Sequence, residues 1–231
     1  MAPVVPAPEP ERIRVVLLSD SELVLEGLRR ILAADAALTV VGELGVPPAR
    51  ELLRSRTPHI LLVDGRVDRA VDICREVRES GARPRVILTG VDHDEAWEVR
   101  ALEAGARGVL AKNATADNLL KAVRVVHAGE VWACKGVVAR TVEKLAAHSP
   151  GPEPDSFHDK RLSGREQECA ERTAEGLSNR EIAGRLGISE ATVKAHLTHI
   201  FQKLGVRDRI QLVTRYHRGQ GAAPGNQPPG S

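Results

Sequence analysis

The first half of the chain follows two hydrophobic rhythms in turn. Short unbroken apolar runs lie at Ile13–Leu18, Leu38–Val41, Ile60–Val63, Val86–Leu88 and Gly108–Leu110. Runs this short, rich in Ile, Leu and Val and lacking alternation, predict strands buried on both faces. Between them apolar residues recur at helical spacing: Leu23, Leu28, Ile31 and Leu32; Val71, Cys74 and Val77; Leu119, Val123 and Val126. Five strands separated by helices predict an α/β fold, a doubly wound parallel sheet in the order 2-1-3-4-5 with right-handed crossovers.

Beyond Val131 the pattern becomes helical throughout. A helix is predicted over Val137–Ala146, followed by a polar run with Pro and Gly, His148–Lys160, that reads as a linker. Ser163 with Glu166 three residues on is a capping box, and Gly176 stops that helix. Ser178 with Glu181 opens the next, and Gly187 closes it. Ser189 opens a third, to about Leu204, with Gly205 beyond, and Asp208 caps a fourth, to about His217. The expected division is a tail over 1–11, an α/β domain over 12–130, a helical extension and linker over 131–160, a four-helix domain over 161–218 and a second tail over 219–231.

Composition changes this picture in three ways. Aromatics make up 2% of the chain, so the core is aliphatic and a base-stacking platform is not expected. Cys74, Cys134 and Cys169 are far apart with no CxxC pairing, which argues against a disulfide framework or zinc site. No apolar stretch nears the roughly 18–20 residues that span a bilayer, and MAPVVPAPEPER lacks the regions of a signal peptide. A cytoplasmic protein with no membrane partner is expected. Charge is uneven: residues 160–218 hold twelve Lys and Arg against seven Asp and Glu, a balance of +5, so the remainder of a chain with total +2 carries −3. A basic C-terminal piece points mildly to nucleic acid.

Two apolar runs end on acids, IRVVLLSD on Asp20 and ILLVDG on Asp64, although an unpartnered carboxylate is costly to bury. In a doubly wound sheet ligands bind beyond the carboxyl ends of the strands, and strands one and three are neighbours, so the two acids converge. Thr89 and Lys112 end strands four and five. Two carboxylates, a hydroxyl and an ammonium suit Mg²⁺ together with a phosphoryl group. Asp92, His93, Asp94 and Glu95 read as a solvated helix start.

In the C-terminal part, Ile182, Ala183 and Leu186 form one apolar face, Gly187 a turn, and Ile188, Val193, Leu197, Ile200 and Leu204 a second face. Two short helices joined this way are a helix-turn-helix, whose second helix enters the major groove of double-stranded DNA. The opposite face carries Lys194, Ala195, Thr198, His199 and Lys203, suited to base edges and phosphates. Ser178, Asn179 and Thr192 lie at helix starts, where phosphates are held.

The chain resembles a response regulator of the NarL/FixJ/LuxR-type group. The first part is similar to a flavodoxin-like receiver, and LSGREQEC and GLSNREIAGRLGISEATVKAHLTHIFQKLGVRDR match the LuxR-type four-helix DNA-binding domain. The resemblance implies that Asp64 accepts a phosphoryl group from a histidine kinase, that Asp20, Asp64 and the Arg66 carbonyl hold Mg²⁺, and that Thr89 and Lys112 bind the phosphoryl group. It places Lys194, Ala195 and Thr198 toward the groove. It also implies a homodimer through the fourth helix, with Ile210, Leu212 and Val213 either at the contact or packed within one monomer, and RNA polymerase as a further partner. Three departures stand out. Ser19 replaces one of two adjacent acids, implying weaker Mg²⁺ affinity and slower phosphorylation. Val109 replaces the switch aromatic, and Val67–Asp68 replaces Met-Pro. Three readings follow: a phosphorylated DNA-binding transcription regulator without enzymatic activity of its own; the same with a receiver that dimerises or senses ligand without phosphorylation; and an aspartyl-phosphate hydrolase, which would need a general acid where Arg66 stands.

Overall fold

The computed structural model describes residues 12–44, 57–80, 84–92, 94–148 and 161–220. Of the expected linker over His148–Lys160 only His148 lies within them; the expected tail over 1–11 lies outside, as do residues 221–231 of the second. The chain divides into two units, Met1–His127 and Ala128–Ser231.

The first unit is a five-stranded parallel sheet in the order β2-β1-β3-β4-β5, as the apolar runs predict. The strands are β1 (Ile13–Leu18), β2 (Leu38–Leu44), β3 (Ile60–Asp64), β4 (Arg85–Val91) and β5 (Ala106–Ala111). The helices are α1 (Glu22–Ala33), α2 (Ala70–Glu79), α3 (Glu95–Ala104) and α4 (Ala116–His127). Val15–Leu18 and Ile60–Val63 are fully buried, because a central parallel strand is covered on both faces.

Helix α1 buries Leu25, Leu28 and Leu32. Leu23, expected on that stripe, is 83% exposed; at 3.6 residues per turn it lies about 140° round the helix from Leu28. Asp94 caps α3 by accepting from Trp97 N–H at 2.8 Å, so the acidic run after β4 is partly a helix start. Register places Asp64 opposite Thr89. The β4–β5 ladder is irregular between Leu88 and Val91, which leaves Thr89 and Gly90 at the sheet's carboxyl edge beside Asp64.

The second unit is helical: α5 (Lys135–His148), α6 (Gly164–Ala174), α7 (Asn179–Leu186), α8 (Glu190–Leu204) and α9 (Arg209–Gln220). Both capping boxes form as the sequence predicts. Ser189 accepts from Thr192 N–H at 3.0 Å and Asp208 from Gln211 N–H at 3.0 Å. Gly187 ends α7 at φ 66°, a left-handed conformation that glycine adopts without the Cβ penalty. The core joins Cys169 and Ala170 of α6, Ile182 and Ala183 of α7, Val193, Leu197, Ile200 and Leu204 of α8, and Leu212 of α9. Helix α5 packs against α9, so the expected extension is part of this unit.

Candidate functional site

At the sheet edge, β3 delivers Asp64 into a pocket where its side chain is 2% exposed. Ser19, at the end of β1, donates to Asp64 Oδ2 at 2.9 Å. Arg66 Nε donates to Oδ1 at 3.0 Å and Nη2 to Oδ2 at 2.8 Å. The Arg66 backbone N–H adds a bond to Oδ1 at 3.1 Å. Burial pushes the Asp64 carboxyl upward, but the bonds from Arg66 and Ser19 outweigh it and hold it below the usual range. Asp64 is therefore a carboxylate, with both oxygens accepting hydrogen bonds.

The other expected members are distributed differently. Asp20 is exposed. Thr89 sits across from Asp64 on β4. The Lys112 ammonium lies on Asp92, both side chains largely exposed, so it is directed to a surface acid rather than to Asp64. Val109 is buried in β5, part of the core rather than a mobile side chain at the rim.

The donor set as it stands does not fit a resident magnesium ion. Mg²⁺ is held by carboxylate oxygens in near-ideal octahedral geometry. Here Ser19 supplies no charge, and both Asp64 oxygens are engaged by Ser19 and Arg66. Among the described residues no three His, Cys, Asp or Glu side chains gather as a metal-ligating group.

In the helical unit, Lys194, Ala195, Thr198 and His199 are exposed along one side of α8, opposite the buried Val193, Leu197 and Ile200. Thr198 Oγ1 donates back to the Lys194 carbonyl at 2.9 Å, and Thr192 shares a 2.8 Å bond with Ser189. Four expectations need correction. Lys203 donates to Glu166 Oε2 at 2.6 Å; it neutralises a buried acid instead of presenting a bare charge to phosphate. Asn179 is buried, its backbone N–H donating to Glu130 at 3.2 Å and its side chain to the Ala128 carbonyl at 3.3 Å. Ile210 and Leu212 are buried by the chain itself, because α9 must close the four-helix core; of the expected contact residues, only Val213 is partly exposed.

Residues 15–124 match the response regulator receiver domain family, and residues 160–216 match the bacterial regulatory proteins of the luxR family. The chain is 31% identical over 214 residues to the probable transcriptional regulatory protein NarL of Mycobacterium tuberculosis, covering 91% of this chain and 96% of that protein. It is 32% identical over 217 residues to the transcriptional regulatory protein DegU of Brevibacillus brevis, covering 87% and 92%. The chain belongs to the LuxR-type response regulators. The crystal structure of the response regulator ChrA, from a heme-sensing two-component system, matches over 90% of this chain and 98% of that one at 31% identity, with a TM-score of 0.47.

Sequence reasoning about this response regulator missed two side chains. It gave Arg66 a role through its carbonyl alone; the signal was an arginine two residues beyond an acid at a strand end, close enough for the turn to bring its guanidinium back. It also gave Glu166 a capping role alone; the capping box forms, and its carboxylate accepts a further bond from Lys203. Among the described residues no helix is long and apolar enough to cross a membrane.

Proposed function

We propose that this two-component regulator is phosphorylated on Asp64 and that the acyl phosphate shifts a pre-existing equilibrium that sets dimerisation and access of α8 to double-stranded DNA. The observation that carries this reading is Asp64: an ionised, hydrogen-bonded carboxylate at the carboxyl edge of the sheet, opposite Thr89. A carboxylate oxygen attacks the phosphorus of a phosphohistidine on a partner kinase. The P–N bond breaks, the imidazole nitrogen keeps the electron pair and takes up a proton, and an acyl phosphate remains. Thr89 and, after leaving Asp92, Lys112 would contact the phosphoryl oxygens. Magnesium, if drawn in, would meet Asp20, Asp64 and the Arg66 carbonyl and would bind weakly. Lys194, Ala195, Thr198 and His199 would face the major groove, with Ser178 and Thr192 near phosphates. The protein would act in the cytoplasm, with RNA polymerase as a downstream partner.

The test treats wild type and Asp64→Ala with a small acyl phosphate donor. It reads intact mass, solution size and affinity for duplexes selected from a random library. Wild type should gain one phosphoryl group and shift in size or affinity, and Asp64→Ala should do neither. Identical behaviour of the two proteins would overturn the acceptor assignment.

A second reading, regulation without phosphorylation, is favoured by one feature: both Asp64 oxygens are already bonded within the chain. On that reading the donor changes nothing in wild type.

A further inference from the structure

Arg66 and Asp64 form a closed fork. Two nearly parallel bonds, Nε to Oδ1 at 3.0 Å and Nη2 to Oδ2 at 2.8 Å, match a planar guanidinium to a carboxylate, the arrangement in which such pairs are strongest and most directional. The two ends differ in freedom. The acid is 2% exposed and the arginine 60%, so the carboxylate is fixed and the guanidinium has open solvent to swing into. Asp20 also attracts Arg66 electrostatically. One cation thus answers both carboxylates that a divalent ion would use. Gly90 borders the fork: a Cβ there would make ordinary contact, 3.4 Å from Asp64 Oδ1 and 3.9 Å from Arg66 Nε, while its φ of 77° is a conformation that favours glycine.

We infer that Arg66 is a built-in counter-ion that occupies the metal-binding oxygens of Asp64, so that a divalent cation enters the pocket only when the guanidinium has swung out to solvent. A tethered cation competes at high effective concentration. Its rival is weakened further by Ser19, which donates to Oδ2 and brings no charge to a metal. The clamp matters for signalling because Asp64 is read as the phosphoryl acceptor, and it rests on that reading for its role.

Calorimetric titration of the full-length protein with Mg²⁺ at fixed ionic strength tests the clamp, using wild type, Arg66→Met and Arg66→Gln, with thermal melts to confirm folding. Both variants should bind magnesium at least about tenfold more tightly than wild type, about 1.4 kcal/mol. Equal affinities in all three would overturn the clamp. Should a variant fail to fold, wild type alone decides: the Arg66 Nε–H resonance should be protected from solvent exchange without magnesium and lose protection as magnesium is added. Rapid exchange throughout would overturn the clamp. Acyl-phosphate yield is a separate arm. No phosphorylation of any protein, with the magnesium difference intact, removes the acceptor reading and keeps the clamp. Normal phosphorylation with equal magnesium affinities does the reverse.

Discussion

Two acids are buried among the described residues, Asp64 at the sheet edge and Glu166 at the start of α6, and their surroundings differ. Glu166 belongs to its own helix: it accepts from Ser163 N–H at 2.8 Å as half of a capping box, and Lys203 arrives from α8 at 2.6 Å. The Lys203 ammonium and then the Ser163 N–H hold its carboxyl down at about 2. The first bond closes the start of α6 and the second ties α6 to α8. Asp64 accepts its charged bonds from a residue two places on that is mostly in solvent, and these bonds join no two elements of the sheet. A buried charge whose partners are helix termini and core neighbours stabilises a fold. One whose cation can leave is arranged for exchange.

The largest effect separates the units themselves. Ile200 is fully buried in the helical core. Ile200→Ala removes several methyl and methylene groups and leaves a cavity, costing about 2–5 kcal/mol. Thermal denaturation should then show the helical unit melting well before the α/β unit, with the receiver's transition unmoved. A common shift of both transitions would mean that the units unfold as one.

Next in size is the structural acid. Lys203→Met keeps the stem and removes the charge from a buried carboxylate, costing about 1–2 kcal/mol, discounted because Lys203 is partly exposed. The pH dependence has a definite sign. A carboxyl held below its ordinary 4.5 adds stability that is fully present above that value and lost as pH falls toward about 2. The gap between wild type and variant, measured by urea denaturation, should therefore narrow from pH 4.5 downward. A gap that stays constant to pH 2 would mean the ion pair contributes nothing, and DNA affinity lost out of proportion to stability would return Lys203 to the groove.

These two acids also mark how far the sequence could be read. The succession of strands and helices, both capping boxes, the left-handed stop at Gly187 and the apolar faces of α7 and α8 followed from spacing, because local rules and tertiary packing agree there. Leu23 was misplaced because one apolar residue off the stripe looks like any other. Lys203 and Asn179 were misplaced because helical periodicity tells which side a residue faces, and not what meets it from another element. Arg66 was overlooked because pairing across a strand-end turn depends on the backbone path after β3, which no periodicity encodes. The burial of Ile210 and Leu212 has the same origin: α9 packs against both α5 and α6, and those partners lie far away in sequence.

Ser19→Ala gives a smaller effect and sharpens the exchange side of the comparison. It removes one of the donors to Asp64 Oδ2 and leaves Arg66 to satisfy that oxygen, costing about 0.5–1 kcal/mol. Urea denaturation of the receiver transition measures this. An unchanged midpoint would mean that Arg66 alone satisfies the acid.

The smallest effect concerns a second lysine whose surroundings contrast with those of Lys203. Lys112 pairs with Asp92 where both side chains are mostly in water, and exposed pairs contribute little because solvent screens them and side-chain entropy opposes them. Lys112→Ala should therefore change stability by less than about 0.5 kcal/mol. If Lys112 leaves Asp92 to bind the phosphoryl group, the same variant should lower acyl-phosphate yield on Asp64, and Asp92→Ala should not. Lys203→Met should show the converse, with stability lowered and phosphorylation unchanged. Two lysines on acids, one on a buried carboxylate and one on an exposed one, would then divide between holding the fold and serving the chemistry. A loss of stability in Lys112→Ala as large as in Lys203→Met would erase that division.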